Sequence, residues 1–477
     1  MLTKNKKNIV WQTTYQIAAI IIPFITAPYI ARVLGANNSG IYSYTFSIVN
    51  YFMMFSMLGI DYYGNRSIAA VRDDREKTNL IFSQIFVAHI IFASIVLCFY
   101  LAFAGVFGGI YRTLYFIQTF FIIGELLNIN WLFAGLGEFK ITVIRNLAIK
   151  VLTLVAIFIF VKTKDDLWIY TLIMSLGTAI STSAVWIVRS KYVSFTSVNL
   201  KDSLKHLKPL FKLYIAILAS SIMRLIDKTM LGAMDKMSEL GCYEYAEKII
   251  KMPLAIITAV GVVMMSSSSN LLANGKEDSV KKTIFKTFEF VSIFCSLFVF
   301  GVLAYGNDFS TYYLGDEYVL TGSILSILSI GLVFSSWNDV LRTQYYIPKQ
   351  KDNYYITSII IAAVTNVILN LIMIPVLGAI GAAIATVASY FLITVFELFF
   401  AKSDIRVFKL LLRAAPVLML GLVSFLLSFV WKIVFPASLW SLVIQIGIFS
   451  IEFLAVLVLY LLLTKQLSFV KQLFCKK

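Results

Sequence analysis

Runs of about 20 apolar residues alternate along the chain with short polar or basic stretches. That is the length a helix needs to cross a hydrocarbon core, roughly 20 residues. With their Gly, Pro and charged breakers, the runs predict helices at about 9–31, 41–60, 81–104, 113–134, 143–161 and 167–189. A second set falls at about 208–231, 242–270, 284–306, 318–347, 353–374 and 376–401, and two more at about 407–431 and 438–464. No ten-residue segments of period-two alternation appear, so a membrane β-barrel is not expected. The pattern predicts an all-α integral membrane protein of about 14 transmembrane helices.

Composition sharpens this reading. Of 477 residues, 60% are apolar and 14% charged, against about half and a quarter in soluble domains. Fourteen spans of about 21 residues leave loops of roughly a dozen residues each, with no room for a soluble catalytic domain. Phosphate loops, HExxH spacings and GxSxG elbows at usable positions are absent, so ATP hydrolysis is not expected. Cys98, Cys242, Cys295 and Cys475 lie in or beside apolar runs without CxxC spacing. They make neither a disulfide framework nor a metal site, and no cofactor is implied. Lys4, Lys6 and Lys7 precede the first run as in a signal peptide, but Gln12, Thr13, Thr14 and Gln16 interrupt it and no A-x-A site follows. The segment reads as an uncleaved first helix.

The net charge of +16 would point to nucleic acid in a soluble protein. Here it marks loops instead, and no nucleic-acid partner is expected. With the N-terminus inside, even-numbered loops and both tails hold 31 Lys and Arg, whereas Arg32, Arg112, Lys162, Lys164, Lys236 and Lys432 make up the other side. Such asymmetry predicts that both termini are cytoplasmic.

An internal repeat organises the spans. Leu34-Gly35-Ala36, then Gly40, Tyr42 and Tyr44, follow the first span; Leu231-Gly232-Ala233, then Gly241, Tyr243 and Tyr245, follow the seventh. Both copies sit between an outgoing and a returning helix, so the repeat is parallel. Two parallel six-helix lobes plus two C-terminal helices follow. The expected division is an N-lobe at 1–190, a basic cytoplasmic linker at 191–212, a C-lobe at 208–401, and the last two helices with a cytoplasmic tail at 402–477.

Charges inside apolar runs mark candidate chemistry. Span seven carries Arg224, Asp227 and Lys228 on one face, and span eight carries Glu244, Glu247, Lys248 and Lys251 as one stripe. A charge facing lipid at mid-bilayer costs about 2.5–3.5 kcal/mol on insertion scales. These seven therefore either pair as a structural network or line a hydrated cavity. Polar companions are Gln12, Gln16 and Arg32 in the first span, Glu125 and Asn128 in the fourth, and Asn366 and Asn370 in the eleventh. Glu397 and Glu452 look isolated, and His89 reads as a packed polar residue. The cations suit an anionic headgroup, above all a diphosphate, through charge-assisted bonds. Asp227, Glu244 and Glu247 either hold those cations or contact sugar hydroxyls.

The run Pro28-Tyr29-Ile30-Ala31-Arg32-Val33-Leu34-Gly35, with Gly40-Ile41-Tyr42, resembles the first-helix signature of polysaccharide-unit flippases. These are the Wzx-type members of the MOP superfamily, which also holds lipid II flippases and multidrug and toxin extruders. The resemblance continues through Gly59 to Ala69, through Asn128 to Trp131, and at Gly135, Glu138-Phe139-Lys140 and Arg145-Asn146. It returns at Ile347-Pro348-Lys349, Asn366, Asn370, Pro375, Gly378 and Gly381-Ala382-Ala383. Departures stand at Ser266-Ser267, where a Pro-Arg pair is usual, at Ala134 and Gly137, and near Ser389-Tyr390, where an acid is missing.

The resemblance implies a flippase in the bacterial inner membrane. Its substrate would be an undecaprenyl-diphosphate-linked oligosaccharide, carried by alternating access for capsule, O-antigen or exopolysaccharide assembly. The implied partners are the lipid bilayer and the polymerase and chain-length regulator of the same pathway. A coupling ion, H+ or Na+, is left open. Rival readings are a cation-coupled multidrug extruder of the same superfamily and a membrane oligosaccharide polymerase or ligase. The absence of an acid from span one weighs against the first, and the short outer loops against the second.

Overall fold

The computed structural model describes residues 2–435 and 438–463, and within them all side chains except those of 2–20, 211–213, 215–220 and 222–224. Among the described residues all regular structure is helical. The order is α1 (Leu2–Met57), α2 (Ile60–Val71), α3 (Arg75–Phe107), α4 (Arg112–Leu126), α5 (Asn130–Leu136) and α6 (Phe139–Phe160). Next come α7 (Leu167–Ser183), α8 (Trp186–Arg189), α9 (Leu200–Leu204), α10 (Leu207–Ala233), α11 (Met237–Ala273) and α12 (Glu277–Leu314). The chain ends with α13 (Val319–Leu341), α14 (Asp352–Leu377), α15 (Ala379–Ala401), α16 (Val407–Val434) and α17 (Leu439–Leu463). Eleven stretches among the described residues are long and apolar enough to cross a membrane. The two limbs of α1 and helix α10 complete the fourteen segments that hydropathy predicts.

Breaks fall where the backbone demands them. Within α1 the first two spans are two helices joined at a kink at Gly35, whose φ of 74° and ψ of 171° lie in a region that only glycine occupies readily. The expected fourth span is likewise two helices, α4 and α5, parted at Leu127–Ile129. There the Asn128 side chain accepts from the Asn130 amide at 3.0 Å, a local bond that competes with helix continuation. At the end of α13 the chain widens into a π-helical turn, Arg342–Tyr346, in which the Ile347 amide reaches the Arg342 carbonyl at 3.0 Å. Arg342, expected in a loop, stands in this turn. Helix α3 starts cleanly because Asp74 caps it, accepting from the Lys77 amide at 3.1 Å.

By contact the chain forms two compact units, 1–241 and 242–477. The division expected near 190–212 follows sequence similarity between the two halves, whereas this one follows packing. Helix α10, counted by the repeat with the second copy, packs on α1, with Ser47 Oγ 3.2 Å from Thr229 Oγ1. The basic linker also lies on unit 1. The Ser194 amide donates to Asn79 at 2.8 Å and the Thr196 amide to Ser83 at 3.1 Å. His206 touches the Tyr63 hydroxyl at 2.7 Å and Gln84 at 3.2 Å, and burial pushes its imidazole below the usual range.

Unit 1 is built around Ile68, Phe82, Trp131 and Phe133, with a second cluster of Tyr42, Ile157 and Tyr170. His89 is buried in α3, as its sequence setting predicts. The repeat glycines serve close approach. A Cβ on Gly40 would lie 1.7 Å from the Met237 carbonyl oxygen, one on Gly241 2.0 Å from that of Ala36, and one on Gly232 2.0 Å from the Tyr44 ring. Unit 2 has its core at Phe288, Trp337, Tyr345 and Tyr346. Helix α16 joins it through pairs such as Arg413–Glu289 at 3.6 Å and Lys432–Asp308 at 3.1 Å, and α17 through Phe449, whose ring meets that of Tyr305. Large apolar side chains such as Val106, Ile187 and Ile433 point outward, a surface suited to lipid rather than water.

Candidate functional site

Helix α11 carries an ion-pair ladder. Glu244 pairs with Lys248 at 3.2 Å and Glu247 with Lys251 at 2.8 Å, each one turn apart. Glu before Lys is the favourable order on a helix and contributes about 0.2–0.5 kcal/mol per pair. The acids are shielded, with side chains 15% and 17% exposed, while the lysines reach 37% and 54%. The ladder therefore shows cations outward on an acidic footing. Lys248 also lies 4.9 Å from the Tyr245 ring centroid, an arrangement that steadies its stem. Of the two roles expected for Glu244 and Glu247, holding the lysines is the one the geometry provides.

In unit 1, Asp227 and Lys228 are buried on α10, and Arg32 is exposed three residues before the bend at Gly35. The side chains of Gln12, Gln16 and Arg224 lie outside the described residues. Glu125 and Asn128 do meet, the Asn128 amide donating to the Glu125 carboxylate at 2.8 Å beside the α4–α5 break. On α14, Asn366 and Asn370 are both fully buried and joined at 3.2 Å.

Three polar groups escaped sequence reasoning. In unit 1, Arg145 donates to Asn130 at 3.0 Å and to Asn146 at 2.7 Å, and Ser181 donates to Asn146 at 2.9 Å. Positive-inside counting had placed Arg145 in a loop. In unit 2, Glu397 is wholly buried rather than isolated, and Ser358 approaches it at 3.4 Å. On the same side of the bundle, Arg342 donates to Asp339 one turn away. Third, Asp404, between α15 and α16, accepts from Tyr345 at 2.9 Å, Lys349 at 2.9 Å and Lys351 at 3.1 Å. The Lys349 hydrogen bond, ahead of the others, holds the Asp404 carboxyl well below the usual carboxylate range. Glu452 accepts from the Trp431 indole at 2.7 Å.

Comparison with known proteins gives this architecture its relatives. The family described as polysaccharide biosynthesis protein matches residues 6–266, and the family of the lipid II flippase MurJ matches 148–449. A protein of Shigella dysenteriae described as an O-antigen transporter is 24% identical over 82% of this chain and 99% of its own length. One of Escherichia coli K12 with the same description is 22% identical over 84% of this chain and 97% of its own. Among solved structures, lipid II flippase MurJ in an inward closed conformation superposes with a TM-score of 0.74 at 15% identity, covering 95% of this chain and 98% of that one. An inward-facing multidrug resistance MATE transporter of the MOP superfamily gives 0.64 at 14% identity, covering 83% and 98%. With fourteen helical segments, the MurJ-like fold and a family match across more than half its length, the chain belongs to the polysaccharide biosynthesis protein family, as a multi-pass membrane flippase and not an enzyme.

Proposed function

We propose that this protein flips an undecaprenyl-diphosphate-linked oligosaccharide across the bacterial inner membrane by alternating access, for capsule, O-antigen or exopolysaccharide assembly. The observation that carries the reading is the α11 ladder. Lys248 and Lys251 present cations on a helix long and apolar enough to cross a membrane, and a diphosphate supplies the oxygens such cations bind. Arg32, Arg224 and Lys228 add positive charge for the same headgroup, with Gln12, Gln16, Glu125, Asn128, Asn366 and Asn370 as polar contacts for sugar. Asp227 serves, like Glu244 and Glu247, to hold cations in place. The relatives described as O-antigen transporters support this substrate class, and a polymerase and a chain-length regulator are the natural downstream partners.

Deleting the gene in its host tests the reading. Lipid-linked oligosaccharide should accumulate on the cytoplasmic face, protected from an added glycan-labelling reagent and released from that state by the restored gene. Unpolymerised units displayed outside would sink it. The proposed orientation, with both termini cytoplasmic and two parallel six-helix lobes, has its own check. Cysteines at 235–240 should label from outside, and those at 200–205 only after permeabilisation.

A further inference from the structure

The buried acids Asp339 and Glu397 of unit 2 are absent from the headgroup reading. Glu397 on α15 is 0% exposed. Its electrostatic neighbours are Asp339 on α13 and Arg342 in the π-helical turn that follows, and α14 supplies Ser358 at 3.4 Å. Tyr346 donates its hydroxyl to the Glu397 backbone carbonyl at 2.6 Å. Tyr355 lies under the Arg342 guanidinium at 5.9 Å. The ionised cluster thus holds two carboxylates and one guanidinium, leaving one negative charge uncompensated among these groups.

Three further observations concern what neutralises that charge. First, Glu397 Oε2, Asp339 Oδ2 and both ends of the Gln344 amide are buried without a hydrogen-bond partner. A buried ionised carboxylate in that state costs far more than a neutral acid. Second, exposure is graded: the Arg342 side chain is 30% exposed and that of Asp339 10%, while Glu397 is closed off. An ion arriving by way of the Arg342 end meets Asp339 first and Glu397 last. Third, the guanidinium belongs to the same cluster of charges, and no group of three or more acids, histidines or cysteines among the described residues makes a metal site. A metal ion would need several oxygen ligands and would be repelled by Arg342; a proton needs one carboxylate.

We infer that the Glu397 carboxylate, set among Ser358, Asp339 and Arg342, is a proton-binding site of this transporter. Binding converts the carboxylate to a carboxylic acid with a proton drawn from water at the Arg342 end, and release returns it. The π-helical turn places Arg342 at the head of this route, in keeping with the frequency of such turns at functional sites. Through Asp339 the site also touches α11, because a Cβ on Gly261 would stand 2.4 Å from Asp339 Oδ2. Occupancy is thereby felt by the helix that carries the lysine ladder. That last coupling rests on the flippase reading; the proton site itself does not.

The test uses infrared difference spectroscopy on the purified full-length protein in lipid, titrated with acid alone. A protonated-carboxyl C=O band should appear as pH falls, and Glu397→Gln, an isostere of the neutral acid, should remove it. Ser358→Ala should keep the band and shift its frequency, which preserves the test if the Gln variant folds poorly. A wild-type spectrum with no such band, or a band untouched by Glu397→Gln, would overturn the assignment. So would a band that disappears with Asp339→Asn and survives Glu397→Gln. Because these readouts need no oligosaccharide, the titrating band stands even if flipping fails, and flipping stands even if the band is missing.

Discussion

The α11 ladder and the α13–α15 cluster each combine acids and bases in an apolar setting, and they do opposite things with them. On α11, each acid precedes its base by one turn of a single helix, so each charge has a partner close by in sequence and the lysine heads remain partly exposed. Between α13, α14 and α15 the charges come from residues up to 58 positions apart in the chain (Asp339 and Glu397), and the deepest of them is sealed from solvent. Partial exposure suits groups that must meet a bulky anion. Burial suits a charge whose state the protein itself has to sense. The difference shows that counting membrane charges says little until each is known to face outward or inward.

Substitutions break the comparison at either end. The largest effect belongs to Arg342→Ala, which leaves Asp339 and Glu397 together without their guanidinium. It should lower stability by about 3 kcal/mol, read as a depressed melting temperature in detergent, whereas Lys248→Ala should leave melting nearly unchanged. Export should reverse that order for the ladder. Lys248→Ala or Arg224→Ala should reduce oligosaccharide export by about 10- to 100-fold, the worth of one charge-assisted bond, at near-normal abundance in the membrane. Loss of abundance instead would return the ladder to a purely structural role.

Two smaller effects mark the edges of the comparison. Asp404→Asn, which weakens the Tyr345–Lys349–Lys351 hub outside the spans, should cost about 1–2 kcal/mol with allowance for partial exposure. The Asp404 carboxyl is held below its unfolded value of about 3.9, so its contribution is complete above that pH and fades as the pH falls toward the folded value. The melting difference between wild type and variant should therefore close in strong acid. Glu452→Gln keeps an acceptor for the Trp431 indole and should change export and melting by less than about 0.5 kcal/mol. A dead transporter there would mean that α17 carries chemistry assigned here to α11 and α13.

Much of this was legible in the sequence. Hydropathy located fourteen helical segments to within several residues, because a span must be long and apolar regardless of what it packs against. The ladder was legible for the same local reason: spacing of four places Glu244 over Lys248 on any helix. Glu397 was not, since Ser358 and Arg342 approach it only through tertiary packing, and charge counting assigned Arg342 and Arg145 to loops. The turn at Gly35 was legible, since it falls between the first two expected spans, but the break at Asn128 was hidden, because hydropathy averages over the few residues that part α4 from α5. Packing of α10 on α1 was not legible either, because it joins residues far apart in the chain, such as Ser47 and Thr229.

The repeat glycines have a mechanical consequence. At Gly40 and Gly241 carbonyl oxygens approach the α-carbons with no side chain between them. A seam of interlocked side chains parts only when rotamers reset, and close-packed surfaces of that kind tend to have discrete, well-separated states. Bare backbone has no rotamers to reset and little side-chain entropy to recover. If the proposed alternation moves these helices apart, such a contact would part and close with little repacking lag.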